Sequence, residues 1–173
     1  EYARSFRVTR GMISPEGVFL SGSGYWYPHV EEQLLTFDLE LDLPAHWKGM
    51  SQGDRLDPPA DAHTTGELWR CTSPQEEIYL IAGPFTEYTS MENGVQAMAL
   101  LRRPDSALAQ KYLDATHRYI TLYDELIGPY PFGKFALVEN FWETGYGMPS
   151  FTLLGPKVIR LPFILNSSYP HEI

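Results

Sequence analysis

The chain is poor in cysteine, in positive charge and in long apolar runs. Cys71 is the one cysteine in 173 residues, so no internal disulfide forms and cysteine usage marks no redox compartment. Lys and Arg number 13 against 22 Asp and Glu, a formal net charge of −9. A nucleic-acid-binding domain normally carries a basic stripe. Here Arg102-Arg103 is the one adjacent Lys/Arg pair, and the excess of negative charge also disfavours anionic membrane surfaces. The apolar runs stay far below the about 18 residues of a membrane span. No signal peptide is visible. The opening EYARSFRVTR already reads as a strand, so the chain is expected to start, and also to stop, inside a longer protein.

What is present is the material of a globular core. Hydrophobic residues make up 43% and charged ones 20%, enough to exclude wholesale disorder. Tyr (11), Phe (9) and Trp (4) are plentiful. Such rings bury much area each, and Tyr and Trp also bring polar tips that need partners.

The first ninety residues read as β structure. In EQLLTFDLELDLP the apolar Leu35, Phe37, Leu39 and Leu41 alternate with Thr36, Asp38, Glu40 and Asp42, the period of a half-buried strand. GVFL, GELWRCT and EEIYLIAGPF are further strands bounded by Gly, Pro and Ser. Residues 46–66 are polar and rich in Pro, Gly and Asp, which predicts a loop. His46 and His63 lie in it without metal-ligand spacing around them. Asn93-Gly94 predicts a tight turn into the next strand, because both residues tolerate positive φ. A boundary between two parts is expected at about residues 88–94.

The period then changes. From Asp105 to Ile127 apolar side chains recur at Leu108, Tyr112, Ala115, Tyr119, Ile120, Tyr123, Leu126 and Ile127, an amphipathic helix of roughly 33 Å. Asp105 is its expected N-cap, and Gly128-Pro129 its stop. His117 has Leu113 and Thr121 four residues to either side, neither of them a metal ligand, so it reads as a packing or surface residue. A Pro/Gly turn and a short strand, Lys134 to Asn140, follow in GPYPFGKFALVENF. A glycine-rich turn and another strand follow in WETGYGMPSFTLLG. The chain ends in SSYPHEI.

His171-Glu172 alone is a common dipeptide. Its surroundings give it meaning. The ordered series of a long helix, LIGPYPFGKFALVENF, GYGMPSFTLL and PHEI resembles the catalytic domain of the aminopeptidase N family, the zinc-dependent gluzincin metallopeptidases. IYLIAGPFTEY and GYWYPHV resemble segments of that family's N-terminal β domain. The resemblance implies an α+β fold. Residues 1–90 would be the C-terminal part of a mainly antiparallel, β-rich domain. Residues 91–173 would be the first part of a thermolysin-like catalytic domain with one long helix and a small sheet, cut within the zinc motif.

The resemblance implies roles as well. His171 matches the first zinc ligand, and Glu172 the general base that activates the metal's water. Zinc takes neutral imidazole nitrogens and lowers the pKa of its water to roughly 7, and a carboxylate beside it can carry the proton. Gly147, Met148 and Tyr146 fall in the turn that lines the substrate. Zinc is the implied cofactor of the whole protein, and a peptide or protein its implied substrate. A catalytic zinc normally has three protein ligands and this chain supplies one, so by itself it is expected to hold no zinc and to be inactive.

One departure bears on specificity. The family's Gly-x-Met-Glu-Asn turn grips the substrate's free amine with its Glu. Here Pro149-Ser150 follows Met148, so endopeptidase action or an altered N-terminal preference is open. Glu143 is the nearby carboxylate considered as its substitute. Met91-Glu92-Asn93 spells the missing letters but lies before the long helix, on the wrong side of the series. The alternative reading is a non-catalytic, peptidase-like binding or scaffolding module. No location is fixed by these residues, and an extracytoplasmic one stays open.

Overall fold

The computed structural model describes residues 11–28, 32–56 and 66–173. The strand expected in the first ten residues, the end of GYWYPHV and His63 lie outside them. The chain divides into two compact units, 1–85 and 86–173.

The first unit holds two sheets. One has the order β1 (Gly11–Ser14), β2 (Gly17–Leu20), β7 (Leu80–Gly83), β4 (Lys48–Met50). The other has the order β3 (Leu35–Leu41), β6 (Glu67–Gln75), β5 (Asp54–Leu56). All their pairings are antiparallel. β3 shows the period its sequence dictates, with Leu35, Phe37, Leu39 and Leu41 more buried than the residues between them. Trp69, Ile81 and Met50 are fully buried.

Two findings differ from the sequence reading of this unit. Residues 46–66, read as a loop, contain β4 and β5. Each is three residues long, too short to show a period, and is drawn into extended form by a longer neighbour: β4 by β7, β5 by β6. Tertiary pairing overrides local composition there. In EEIYLIAGPF the ladder covers only Leu80–Gly83, while β6 runs past GELWRCT to Gln75.

The second unit is a five-stranded mixed sheet with a helix. β8 (Thr86–Glu92) and β9 (Val95–Leu101) form a hairpin closed at Asn93 (φ 49°) and Gly94 (φ 80°). Positive φ at both central residues is the turn that Asn-Gly favours. The hairpin explains why the division falls after Phe85, before the stretch expected for it: β8 belongs to the sheet it pairs with. α1 (Ser106–Leu126) follows. The Asp105 carboxylate accepts a hydrogen bond from the Leu108 amide at 2.9 Å, filling one of the donors a helix start leaves open. Gly128, past the helix end, has φ 128°.

α1 is a crossover. β9 and β10 (Lys134–Glu139) run parallel, and β10 runs parallel to β12 (Phe151–Leu154). β11 (Gly145–Met148) lies antiparallel to β12 at one edge, and β8 is the other edge. Every residue of β10 is buried, as a central parallel strand requires. Ala97, Ala99 and Leu101, Tyr112, Leu113 and Ile120, and Phe135 and Leu137 form the core between sheet and helix. Single helical turns at Val158–Arg160 and Ile164–Asn166 lead to α2 (Ser168–Glu172). His117 is buried, its Nε2 2.7 Å from Ser90 Oγ. It joins α1 to β8, the packing role its sequence context predicts. No helix of the described residues is long and apolar enough to cross a membrane.

Candidate active site

α2 is five residues long, and one ring fixes it. Tyr169 is fully buried. Its ring meets Tyr112 edge-on at 4.8 Å and Phe135 at 6.0 Å, and its hydroxyl lies 2.6 Å from Thr116 Oγ1. Thr116 Oγ1 in turn bonds the Tyr112 carbonyl at 2.8 Å. Burial raises the Tyr169 pKa well above the usual phenol range, the Thr116 bond opposing it. Tyr123 Oη adds a bond of 2.8 Å to the Pro170 carbonyl. The residues just before His171 and Glu172 are thereby anchored to α1 and β10.

His171 is exposed and Glu172 half-buried. The Glu172 carboxylate lies over the β11–β12 pair, with Oε2 3.4 Å from Thr152 Oγ1. Thr152 Oγ1 also donates to the Tyr146 carbonyl at 2.9 Å. A Cβ at Gly147 would meet Glu172 Oε2 at 2.5 Å, so the glycine is what lets the carboxylate lie against the strand.

His171, Glu172, Met148, Pro149 and Ser150 open into one cleft of about 810 Å³. Its far wall comes from the end of α1 and the turn after it, with Tyr123, Ile127, Tyr130 and Phe132 prominent. The volume lies within the range of small-molecule and peptide-fragment sites, about 300–1,000 Å³. The GPYPF stretch that read as a turn thus supplies aromatic wall, a role no periodicity signals. Tyr130 is held by its amide, which donates to Asp124 Oδ1 at 2.8 Å. Its hydroxyl reaches the Lys134 carbonyl at 3.2 Å.

Of the candidate residues, His171, Glu172 and Met148 line this cleft. Gly147 sits behind Glu172. Tyr146, half-buried on β11, contributes its carbonyl to Thr152 and does not line the cleft. Glu143, weighed as a replacement carboxylate, is occupied elsewhere. Both its oxygens accept from the Lys157 amide, at 3.2 and 3.3 Å, and Oε2 fills the space that a Cβ at Gly155 would take. Glu92 and Asn93 lie at the β8–β9 hairpin, outside the cleft. The Pro149-Ser150 turn is pinned from beneath. Lys134 is buried, and its ammonium donates to Ser150 Oγ at 2.6 Å and to the Ser150 carbonyl at 3.1 Å. Ser150 itself has φ 68°.

Among the described residues no three His, Cys, Asp or Glu side chains gather to hold a metal ion. His171 is the one imidazole lining the cleft. The described residues therefore do not complete a zinc site by themselves.

No family model matches this sequence, and no curated protein does. Solved structures do match its fold. A two-domain M1 zinc metallopeptidase mutant bound to L-tryptophan superposes with a TM-score of 0.66 at 14% identity, over 90% of this chain and 39% of that one. An M1 zinc metallopeptidase from Deinococcus radiodurans gives 0.65 at 13%, over 84% and 37%. Native yeast LTA4 hydrolase gives 0.63 at 14%, over 80% and 22%. The chain thus spans well under half the length of these structures. At such identities the likeness is one of fold: an α+β arrangement shared with M1 peptidase domains.

Proposed function

We propose that this chain is part of a zinc-dependent peptidase. In this reading the first unit, 1–85, ends a β-rich domain and the second, 86–173, begins the catalytic one. His171 supplies one metal ligand, and the remaining ligands come from beyond these residues. Glu172 is the base that takes a proton from the attacking water. Zinc, when bound, would supply the Lewis acid. The observation that carries the reading is the placement of His171 and Glu172 on one short helix, at the wall of a single cleft, with the Glu172 carboxylate laid against Gly147. The shared fold of the M1 zinc metallopeptidases supports it.

The substrate class follows from the sheet. β11 is an edge strand beside the cleft. An edge strand presents backbone donors and acceptors to an extended peptide, which can add as a further strand. The aromatic wall opposite takes side chains. Asp124 and Glu172 are the carboxylates lining the cleft, and Asp124 already accepts from Tyr130. The turn that would carry an amine-gripping Glu presents Ser150, bonded to a buried ammonium. These features favour cleavage that does not depend on a free N-terminus.

The same Pro149-Ser150 turn favours the second reading, a peptide-binding module without hydrolysis. Three measurements on the full-length protein separate them: the residues that follow Ile173, the metal content, and turnover of one peptide with free and with acetylated N-terminus. The peptidase reading expects His as the second residue after Ile173, one zinc per chain, and cleavage of both peptides. Peptide binding without zinc or turnover would establish the second reading. Cleavage of the free peptide alone would restore strict aminopeptidase specificity.

A further inference from the structure

The sheet of the second unit has a second cleft at its other end. The carboxyl ends of the parallel strands β9, β10 and β12 converge there. β9 ends at Leu101 and runs into Arg102, β10 ends at Glu139, and β12 ends at Leu154, shortly before Pro156 and Lys157. Arg102, Arg103, Glu139, Pro156, Lys157 and Arg160 line a cleft of about 340 Å³. Ligands of open parallel sheets settle outside the carboxyl ends of the strands, where the chain leaves the sheet and loops can surround them.

The charge here runs against that of the chain. The protein carries −9 overall with only 13 Lys and Arg, yet four of those cations line this one cleft beside a single carboxylate. That carboxylate is already used. Glu139 is buried, and its Oε1 accepts from Arg160 Nη1 at 2.6 Å and its Oε2 from the Arg102 amide at 2.8 Å. It ties the end of β10 to the turn carrying Arg160, and Arg160 Nη1 also reaches the Pro156 carbonyl at 2.6 Å. Glu139 therefore builds the cleft floor and leaves the other cations uncommitted. Among the described residues the side-chain nitrogens of Arg102, Arg103 and Lys157 make no ion pair or hydrogen bond.

We propose that this cleft is a binding site for a phosphorylated small molecule, with Arg102, Arg103 and Lys157 on its phosphate oxygens. Three uncommitted cations match the two to three negative charges of a phosphate or diphosphate better than the single charge of a carboxylate. Guanidinium groups donate in a planar fork suited to phosphate oxygens, and a lysine ammonium adds a movable point charge. The volume exceeds that of a lone phosphate and leaves room for a small attached group. The site shares no lining residue with the peptide cleft and stands whether or not the peptidase reading holds.

The test is calorimetric titration of the full-length protein with sodium pyrophosphate and with inorganic phosphate at low ionic strength. Saturable one-to-one binding is expected, pyrophosphate the tighter, with affinity falling as salt rises. The double variant Arg103→Gln/Lys157→Gln should weaken pyrophosphate at least tenfold with an unchanged near-UV circular dichroism spectrum, since both side chains are exposed. Lys111→Gln, a cation of α1 outside the cleft, should leave affinity unchanged. Absence of saturable pyrophosphate binding up to millimolar concentration overturns the proposal. So does binding that the double variant and Lys111→Gln affect equally.

Discussion

The carboxylate of Glu172 lies in the space that a side chain at position 147 would occupy: a Cβ on Gly147 would come within 2.5 Å of Glu172 Oε2. Gly147→Ala therefore moves the carboxylate and little else, because the obstructed atom ends a flexible side chain. The change in stability is expected to stay under about 1 kcal/mol. Peptide turnover by the full-length protein should fall at least tenfold with KM little changed. Denaturant titration and steady-state kinetics check the two halves, and unaltered turnover would detach Glu172 from the chemistry.

Tyr169 is the anchor of α2, so its loss should be felt as stability. Tyr169→Phe removes a hydroxyl bonded to Thr116; Thr116 keeps the Tyr112 carbonyl as a partner. The expected cost is about 1 kcal/mol. Tyr169→Ala empties a fully buried site and is expected to cost about 3–5 kcal/mol, the range for large aromatic deletions. Urea unfolding followed by fluorescence distinguishes the two. Equal costs would contradict the packing role of the ring.

Alkaline pH should loosen the same core. Burial pushes the Tyr112 phenol up to about 12, with the Arg160 charge pulling the other way. In the unfolded chain a phenol titrates near about 10. Between those values the folded state keeps a proton that the unfolded state releases. The stability contribution is complete below about pH 10 and is lost as pH rises toward about 12. Tyr112→Phe should be less stable at neutral pH, because the bond to the Ile159 carbonyl is gone, yet decline less steeply across that window. Parallel curves for the two proteins would contradict the assignment.

The start of α1 offers a simpler check. Asp105 accepts from the Leu108 amide, and Asp105→Ala is expected to cost about 1 kcal/mol, the usual value of an N-cap. Asp105→Asn should recover most of it, because an amide oxygen accepts the same bond. Thermal or denaturant unfolding of the pair decides this.

How much was legible in the sequence varies with the range of the interaction. α1 was, because Leu108, Tyr112 and Ile120 recur at a helical period and Asp105 and Gly128 punctuate it. β3 was, by alternation, and the β8–β9 hairpin by Asn93-Gly94. β4 and β5 were not, since three residues carry no period and their form comes from β7 and β6. The order of the second sheet was not legible either. A buried parallel strand such as β10 is apolar throughout, which tells of burial and not of neighbours. The same holds at the cleft. PHEI stood out as a motif, but the contact of Glu172 with Gly147 and the aromatic wall of Tyr130 and Phe132 depend on side chains that only the fold brings together. Glu143 looked available in the sequence and is spent on the Lys157 amide.

The most direct test of the central reading is Glu172→Gln in the full-length protein, with zinc content and peptide hydrolysis measured on the same preparation. The carboxylate is read as the proton-accepting base and not as a metal ligand. The variant should therefore retain zinc at the wild-type level and lose hydrolysis by a factor of at least about 10², the low end for a general base. Hydrolysis at the wild-type rate in the zinc-replete variant would contradict the account.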